Sequence, residues 1–105
     1  MSQIANTPEP PYYAAIFTSQ RTSTDAAYEA TAARMLALAA LQEGFLGVES
    51  AREGLGITVS YWSSLEAIQL WKSNAEHLEA QRKGRANWYS SFSVRIAKVE
   101  RDYGL

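Results

Sequence analysis

The spacing of hydrophobic positions along the chain switches between two periods. Residues 25–42 and 65–85 place apolar side chains three or four positions apart, which predicts two helices, the second with a kink near Asn74. Other stretches are rich in aromatic and β-branched residues or alternate apolar with polar positions, as strands do. These predicted strands are 12–20, 45–52, 57–62 and 88–100.

Local signals mark where these elements begin and end. Gly44 follows the first helix and suits the left-handed conformation that ends many helices. The segment 53–56 contains two glycines and predicts a hairpin connection between the second and third strands. Ser63 and Glu66 have the spacing of a capping box, so the second helix should begin there.

The resulting order, β-α-β-β-α-β, predicts an α+β fold of the ferredoxin-like split type, with a four-stranded antiparallel sheet. Both helices of such a fold cover one face of the sheet. The first strand nevertheless has apolar residues on both faces, with Tyr13, Ala15 and Phe17 on one side. Because an uncovered apolar face needs a partner, we expect a homodimer in which two sheets pack together as a barrel.

A chain of 105 residues is expected to form one domain, over residues 12–105. All three prolines lie within residues 1–11, which we interpret as a flexible N-terminal tail. This tail lacks the charge and the apolar run of a secretory signal, and the sequence contains no apolar stretch of about 20 residues. Cytoplasm is therefore the expected compartment, with no membrane partner.

Charge and composition exclude several functions. The net charge of −1 offers no basic surface for nucleic acid. The chain has no cysteine and a single histidine, His77, so thiolate zinc sites and two-histidine metal sites are excluded. It also lacks the glycine-rich motifs that bind nucleotides. We therefore expect neither a metal nor another cofactor.

Several segments together resemble one protein family, the antibiotic biosynthesis monooxygenase (ABM) domain family of dimeric α+β barrels. The resemblance covers about residues 12–100 and rests on the order of these segments. They are the helix exit 42–47, the strand 57–62, the helix start 63–67, and Trp71-Lys72 with His77. The family includes cofactor-free, quinone-forming monooxygenases, haem-degrading monooxygenases and many members without an established activity.

The haem-degrading branch of the family has a recognisable ligand pattern. There, a helix tryptophan is followed ten residues later by the histidine that ligates iron, and an asparagine on the first strand lies over the haem. In this chain Gln81 stands ten residues after Trp71, and the strand 12–20 contains no asparagine. His77 comes six residues after Trp71, not ten, so it does not occupy the ligand position of the pattern. Haem degradation is the less favoured alternative.

Cofactor-free oxidation of a small aromatic or quinol-like substrate is the favoured function, in a pocket between the helices and the sheet. His77 is the candidate catalytic base, since its unperturbed pKa suits proton transfer near neutral pH. Candidate substrate-binding residues are Trp71, Tyr61, Trp62 and Gln81. The alternative is a non-catalytic dimer of the same fold that binds a small molecule, in which His77 is an exposed helix residue and the tryptophans fill the core. Whether the protein is an enzyme is left open by the sequence.

Overall fold

The computed structural model describes residues 3–21, 26–81 and 89–105, with side chains from residue 30 onward in the first helix and up to residue 75 in the second. Its elements follow the predicted order. They are β1 (Tyr12–Arg21), α1 (Ala26–Ala40), β2 (Phe45–Glu53), β3 (Leu55–Trp62), α2 (Leu65–Gln81) and β4 (Tyr89–Val99). The strands form one sheet in the order β2-β3-β1-β4, with every neighbouring pair antiparallel. The split β-α-β-β-α-β fold is confirmed.

The two faces of the sheet carry different residues. Trp62 of β3 packs against α2, and its cross-strand partners Tyr13 and Phe45 share that side, which we call the helix-side face. Tyr61 and Tyr12 lie on the opposite side, the open face, because successive residues of a strand point in opposite directions. This division of β1 and β3 agrees with the predicted alternation.

The core lies between the helices and the β2–β3 half of the sheet. Trp62 has no exposed surface, and it is surrounded by Ala39 of α1 with Ala67 and Ile68 of α2. The two alanines are small enough to let the helices approach the large indole ring closely. A buried aromatic side chain such as Trp62 removes about 150–250 Å² of surface from water.

Two local predictions need correction. The hairpin is tighter than expected: Gly54 alone has a positive φ, of 79°, and β3 begins at Leu55. The cap of α2 is Ser64, whose Oγ accepts a hydrogen bond from the Ala67 amide at 3.0 Å, and α2 begins one residue later than a cap at Ser63 requires. The helix is continuous through Asn74, near which the sequence predicted a kink.

The boundary predictions at Gly44 and at the start of β4 have different outcomes. Gly44 has a φ of 89°, and its carbonyl accepts a hydrogen bond from the Ser63 amide at 2.8 Å. Gly44 has the predicted left-handed conformation, but α1 itself ends earlier, at Ala40, so the glycine joins the turn that follows α1 to the start of α2. The predicted first residue of the last strand, Trp88, lies outside the described residues. None of the helices in the described part of the chain is long and apolar enough to cross a membrane.

The segment 3–11 lies at one end of the open face. Its Ala5 amide donates a hydrogen bond to Glu49 Oε2 at 2.9 Å, and the Ala5 side chain lies directly against Gly47. Thr7 donates to the Tyr12 hydroxyl at 3.0 Å, and that hydroxyl in turn donates to the Asp102 carboxylate. These contacts explain why Tyr12 is buried although it faces away from the helices.

Candidate functional site

Two of the predicted substrate-binding residues, Trp62 and Trp71, lie together. Their rings are stacked, with centroids 6.2 Å apart and an angle of 23° between the planes. The Trp62 indole donates to Ser60 Oγ at 2.9 Å, which satisfies the polar atom of this fully buried ring. Trp62 is therefore a core residue, while the half-buried Trp71 presents the accessible edge of the pair.

The β1–β4 half of the helix-side face is different, because it exposes aromatic and aliphatic side chains. Phe17 lies 5.4 Å from Tyr89 and 5.6 Å from Phe92, measured between ring centroids. Phe92 keeps 62% of its surface exposed and Val94 keeps 52%. We call the surface formed by Phe17, Tyr89, Phe92 and Val94 the aromatic floor. Among the described residues, it is the part of the helix-side face whose apolar side chains are most exposed.

The remaining two predicted site residues, His77 and Gln81, belong to the second half of α2. Since a helix rises about 1.5 Å per residue, His77 lies about 9 Å beyond Trp71 along the axis. From Trp71 onward α2 leads from the end of β3 back toward the start of β4 at Tyr89. Its second half therefore runs toward the end of the sheet that carries the aromatic floor. The side chains of both residues are outside the described part, so their roles stay predictions.

Tyr61 is not brought together with the tryptophans, because it lies on the open face. Its hydroxyl donates to Glu49 Oε1 at 2.7 Å, and its ring meets Tyr12 edge to face at 5.8 Å. Burial, and then the hydrogen bond to the Glu49 carboxylate, raise the pKa of Tyr61 to about 12. Tyr61 therefore stays protonated at neutral pH. Because it lies on the open face, it cannot line one pocket with Trp62 and Trp71 in the same protomer.

The structure adds a polar residue that the sequence left out of the site. The side chain of Arg52 crosses over Gly56 of β3 and reaches Ser19 of β1. Arg52 and Glu49 lie on opposite faces of β2, and each has a partner within the chain. Gly56 lies opposite Arg52 in the hairpin, and it indicates this role in the sequence because any side chain there would block the path of the arginine.

Neither the surface clefts nor the His, Asp and Glu side chains form a further site within the described residues. Two clefts of about 230 and 240 Å³ open to solvent around Leu55, and their other residues lie mostly on the open face. No group of three His, Asp or Glu side chains comes together among the described residues as a metal site requires.

Comparison with known proteins gives one family and one fold. The family described as "Antibiotic biosynthesis monooxygenase" matches residues 11–83. The uncharacterised protein YqjZ of Bacillus subtilis (strain 168) is 56% identical over 103 residues, which span 96% of this chain and 90% of that protein.

Solved structures agree with this match at the level of the fold. A mutant form of SnoaB, a cofactor-independent oxygenase from Streptomyces nogalater, superposes with a TM-score of 0.71 at 17% identity, covering 87% of this chain and 95% of that one. The protein PA3566 from Pseudomonas aeruginosa superposes with a TM-score of 0.65 at 18% identity, covering 91% of this chain and 99% of that one.

Proposed function

We propose that this chain, which belongs to the antibiotic biosynthesis monooxygenase family, catalyses a cofactor-independent oxidation. The substrate is a small aromatic or quinol-like molecule held between the helices and the sheet. The observation that carries the proposal is the division of the helix-side face. Trp62 and Trp71 close one half, whereas the aromatic floor in the other half keeps apolar side chains exposed among the described residues. An apolar surface with a few polar groups at its edge is the usual character of a small-molecule site.

The reaction needs a substrate that can supply its own electrons. In an anthrone-type substrate, a base removes one proton from the reacting CH₂ group, and the resulting anion reduces dioxygen. One oxygen atom then forms the new C=O bond, and the other leaves as water with the two hydrogen atoms lost from the carbon. A site shielded from water favours this route because it limits side reactions of the intermediates.

His77 is the proposed base, and Trp71 and Gln81 are proposed to bind the substrate. His77 is the single histidine of the chain, and imidazole is the side chain whose unperturbed pKa lies closest to neutral pH. Its position in α2, beyond Trp71 and on the way to Tyr89, agrees with a role above the aromatic floor. Trp62 contributes indirectly, by holding Trp71 in place through the stacked pair.

The proposed partner is a second copy of the chain, which would cover the open face. Below the contacts of segment 3–11, this face carries Ile16, Val59, Ile57 and Leu55, and the last two are exposed. Exposed aliphatic residues side by side on a sheet are costly in water. A two-fold arrangement, sheet against sheet, buries the same residues of both copies.

Oxygen consumption tests the activity directly. Purified protein treated with a chelator is mixed with hydroquinone- and anthrone-type substrates, while an oxygen electrode and the quinone absorbance follow the reaction. We expect His77→Ala to lower turnover about 100-fold, a typical value for loss of a general base. Gln69→Ala, an exposed change on the same helix, is the matched control and should keep full activity. Activity that disappears with the chelator would contradict the cofactor-free mechanism.

A binding protein without catalysis is the second candidate. It is favoured by the close packing around Trp62, which fills the β2–β3 half of the space between helices and sheet. The two candidates differ in oxygen uptake: saturable binding of an aromatic ligand with no oxygen consumption by any quinol or anthrone would support the binding protein.

A further inference from the structure

The guanidinium of Arg52 is held in place by neutral oxygen atoms. Its Nη2 lies 2.5 Å from Ser19 Oγ, and its Nη1 lies 3.4 Å from the carbonyl oxygens of Ser19 and of Gly54. Within the part of the chain that the structure describes, no carboxylate forms an ion pair with it. The positive charge is therefore fixed in position and not neutralised by these contacts.

The surroundings of Arg52 fit this arrangement closely. Ser19 is only 2% exposed, so its hydroxyl is committed to Arg52 and has little contact with water. A Cβ atom on Gly56 would overlap the guanidinium, which means that this glycine creates the space through which Arg52 passes. Such fixed geometry lowers the entropy that the arginine would otherwise lose on binding a ligand.

The position of the charge connects it to the aromatic floor. Ser19 pairs with Phe92 across the β1–β4 ladder, and Phe17 lies two residues before Ser19 on the same face. The guanidinium that contacts Ser19 Oγ thus stands at one end of the floor. An aromatic ring on Phe17 and Phe92 would have the positive charge near its edge.

The donors of Arg52 match one kind of anion. Three of its five N–H groups are taken by the contacts to Ser19 and Gly54, which leaves the Nε–H and one Nη2–H. These two donors lie side by side in a guanidinium and fit the two oxygens of a carboxylate. Arginine is the side chain best suited to this bidentate geometry.

We infer that Arg52 binds the carboxylate of a planar aromatic ligand whose ring lies on the aromatic floor, so that the substrate class is an aromatic acid. The inference rests on the proposed function only in taking the floor as the substrate site. Ser19 and Gly56 act as positioning residues, since Ser19 accepts a hydrogen bond from the guanidinium and Gly56 leaves the space that the guanidinium occupies.

Binding of two matched probes, 2-naphthoate and the neutral 2-naphthamide, tests this inference by calorimetry or NMR titration. The wild-type protein should bind naphthoate at least about tenfold more tightly, because hydrogen bonds to charged groups are the stronger ones. Arg52→Gln should abolish this preference and leave naphthamide binding within about twofold, whereas Arg52→Lys should keep part of the preference. Arg34→Gln removes an exposed arginine of α1 and should change neither probe.

Each outcome decides the inference. Equal wild-type affinity for the two probes overturns it, even if Arg52→Gln fails to fold, and so does a preference that survives in a folded Arg52→Gln protein. Because neither probe needs to be oxidised, binding is measured independently of turnover. A naphthoate preference that depends on Arg52, found without oxygen uptake by any substrate, supports the carboxylate site and overturns the oxygenase.

Discussion

Gly44 lies so close to Ala67 that a Cβ atom on the glycine would come within 2.7 Å of the alanine methyl group. The same atom would lie 2.8 Å from Ser63 Oγ, and the backbone φ of 89° is one that side chains disfavour. This one residue therefore joins the turn that follows α1 to the start of α2, the helix that carries Trp71.

Gly44→Ala should destabilise the protein by about 2–4 kcal/mol, from the positive φ together with the overlap. Gly54→Ala is the matched control, since Gly54 has a φ of 79° but a Cβ atom added to it would meet no other atom within 4 Å. It should cost only the backbone term, about 1–2 kcal/mol. Urea unfolding measures both free energies. Equal losses would show that the contact with Ala67 adds nothing.

The hydroxyl of Tyr61 should make stability depend on pH in the alkaline range. Because the folded pKa is about 12 and the ordinary value is 10.0, the unfolded chain ionises first as pH rises. The stabilisation is therefore fully present below pH 10 and is lost as pH rises through about 12. Tyr61→Phe removes the titrating group, so its unfolding free energy should fall less between pH 9 and pH 11.5. A parallel fall in both proteins would contradict the assignment.

The stacked pair predicts the stability effect of Trp71. Trp71→Ala should cost about 2 kcal/mol, less than a fully buried tryptophan, because this ring is half-buried. It should also weaken the near-ultraviolet circular dichroism of the two indoles. Leu70→Ala, at a neighbouring position that is 65% exposed, should stay within about 0.5 kcal/mol of wild type. If the two variants unfold alike, the stack does not support the helix.

The open face predicts assembly. Light scattering should give twice the chain mass of 11.6 kDa, and Ile57→Asp should reduce it to a single chain, because it places a charge in the middle of the buried apolar surface. Leu70→Asp adds the same charge to an exposed position of α2 and should leave the dimer intact. A wild-type protein that is a single chain at micromolar concentration would contradict the proposed interface.

The alternation of side chains was sufficient to predict the sheet but not which residues form the site. It places Tyr61 and Trp62 on opposite faces, since they are consecutive residues of β3. The expectation that both residues contact one substrate conflicts with this placement on opposite faces. Which face receives the helices follows from the split topology, and Trp62 as a fully buried core residue agrees with its place beside α2.

The role of Arg52 could not be predicted because it depends on hairpin register. A connection over residues 53–56 would place Arg52 opposite Ile57, whereas the tighter turn at Gly54 places it opposite Gly56. That shift by one residue exchanges the faces of the sheet for every following residue of one strand. The capping residue of α2 shows the same sensitivity, because Ser63 and Ser64 are chemically identical and only the helix start distinguishes them.

The hydroxyl of Tyr12 is bonded on one side to Thr7 and on the other to Asp102. Thr7 and Asp102, which are 95 positions apart in the chain, thus bind the same phenol oxygen. The segments near the two ends of the chain therefore meet in space, so the polypeptide forms a nearly closed ring. A short linker between the two end segments would close that ring, and the solvent-facing turn at Gly54 offers a place to open it again. Circular permutants that begin at this turn would keep the same sheet order while moving both chain ends away from the open face.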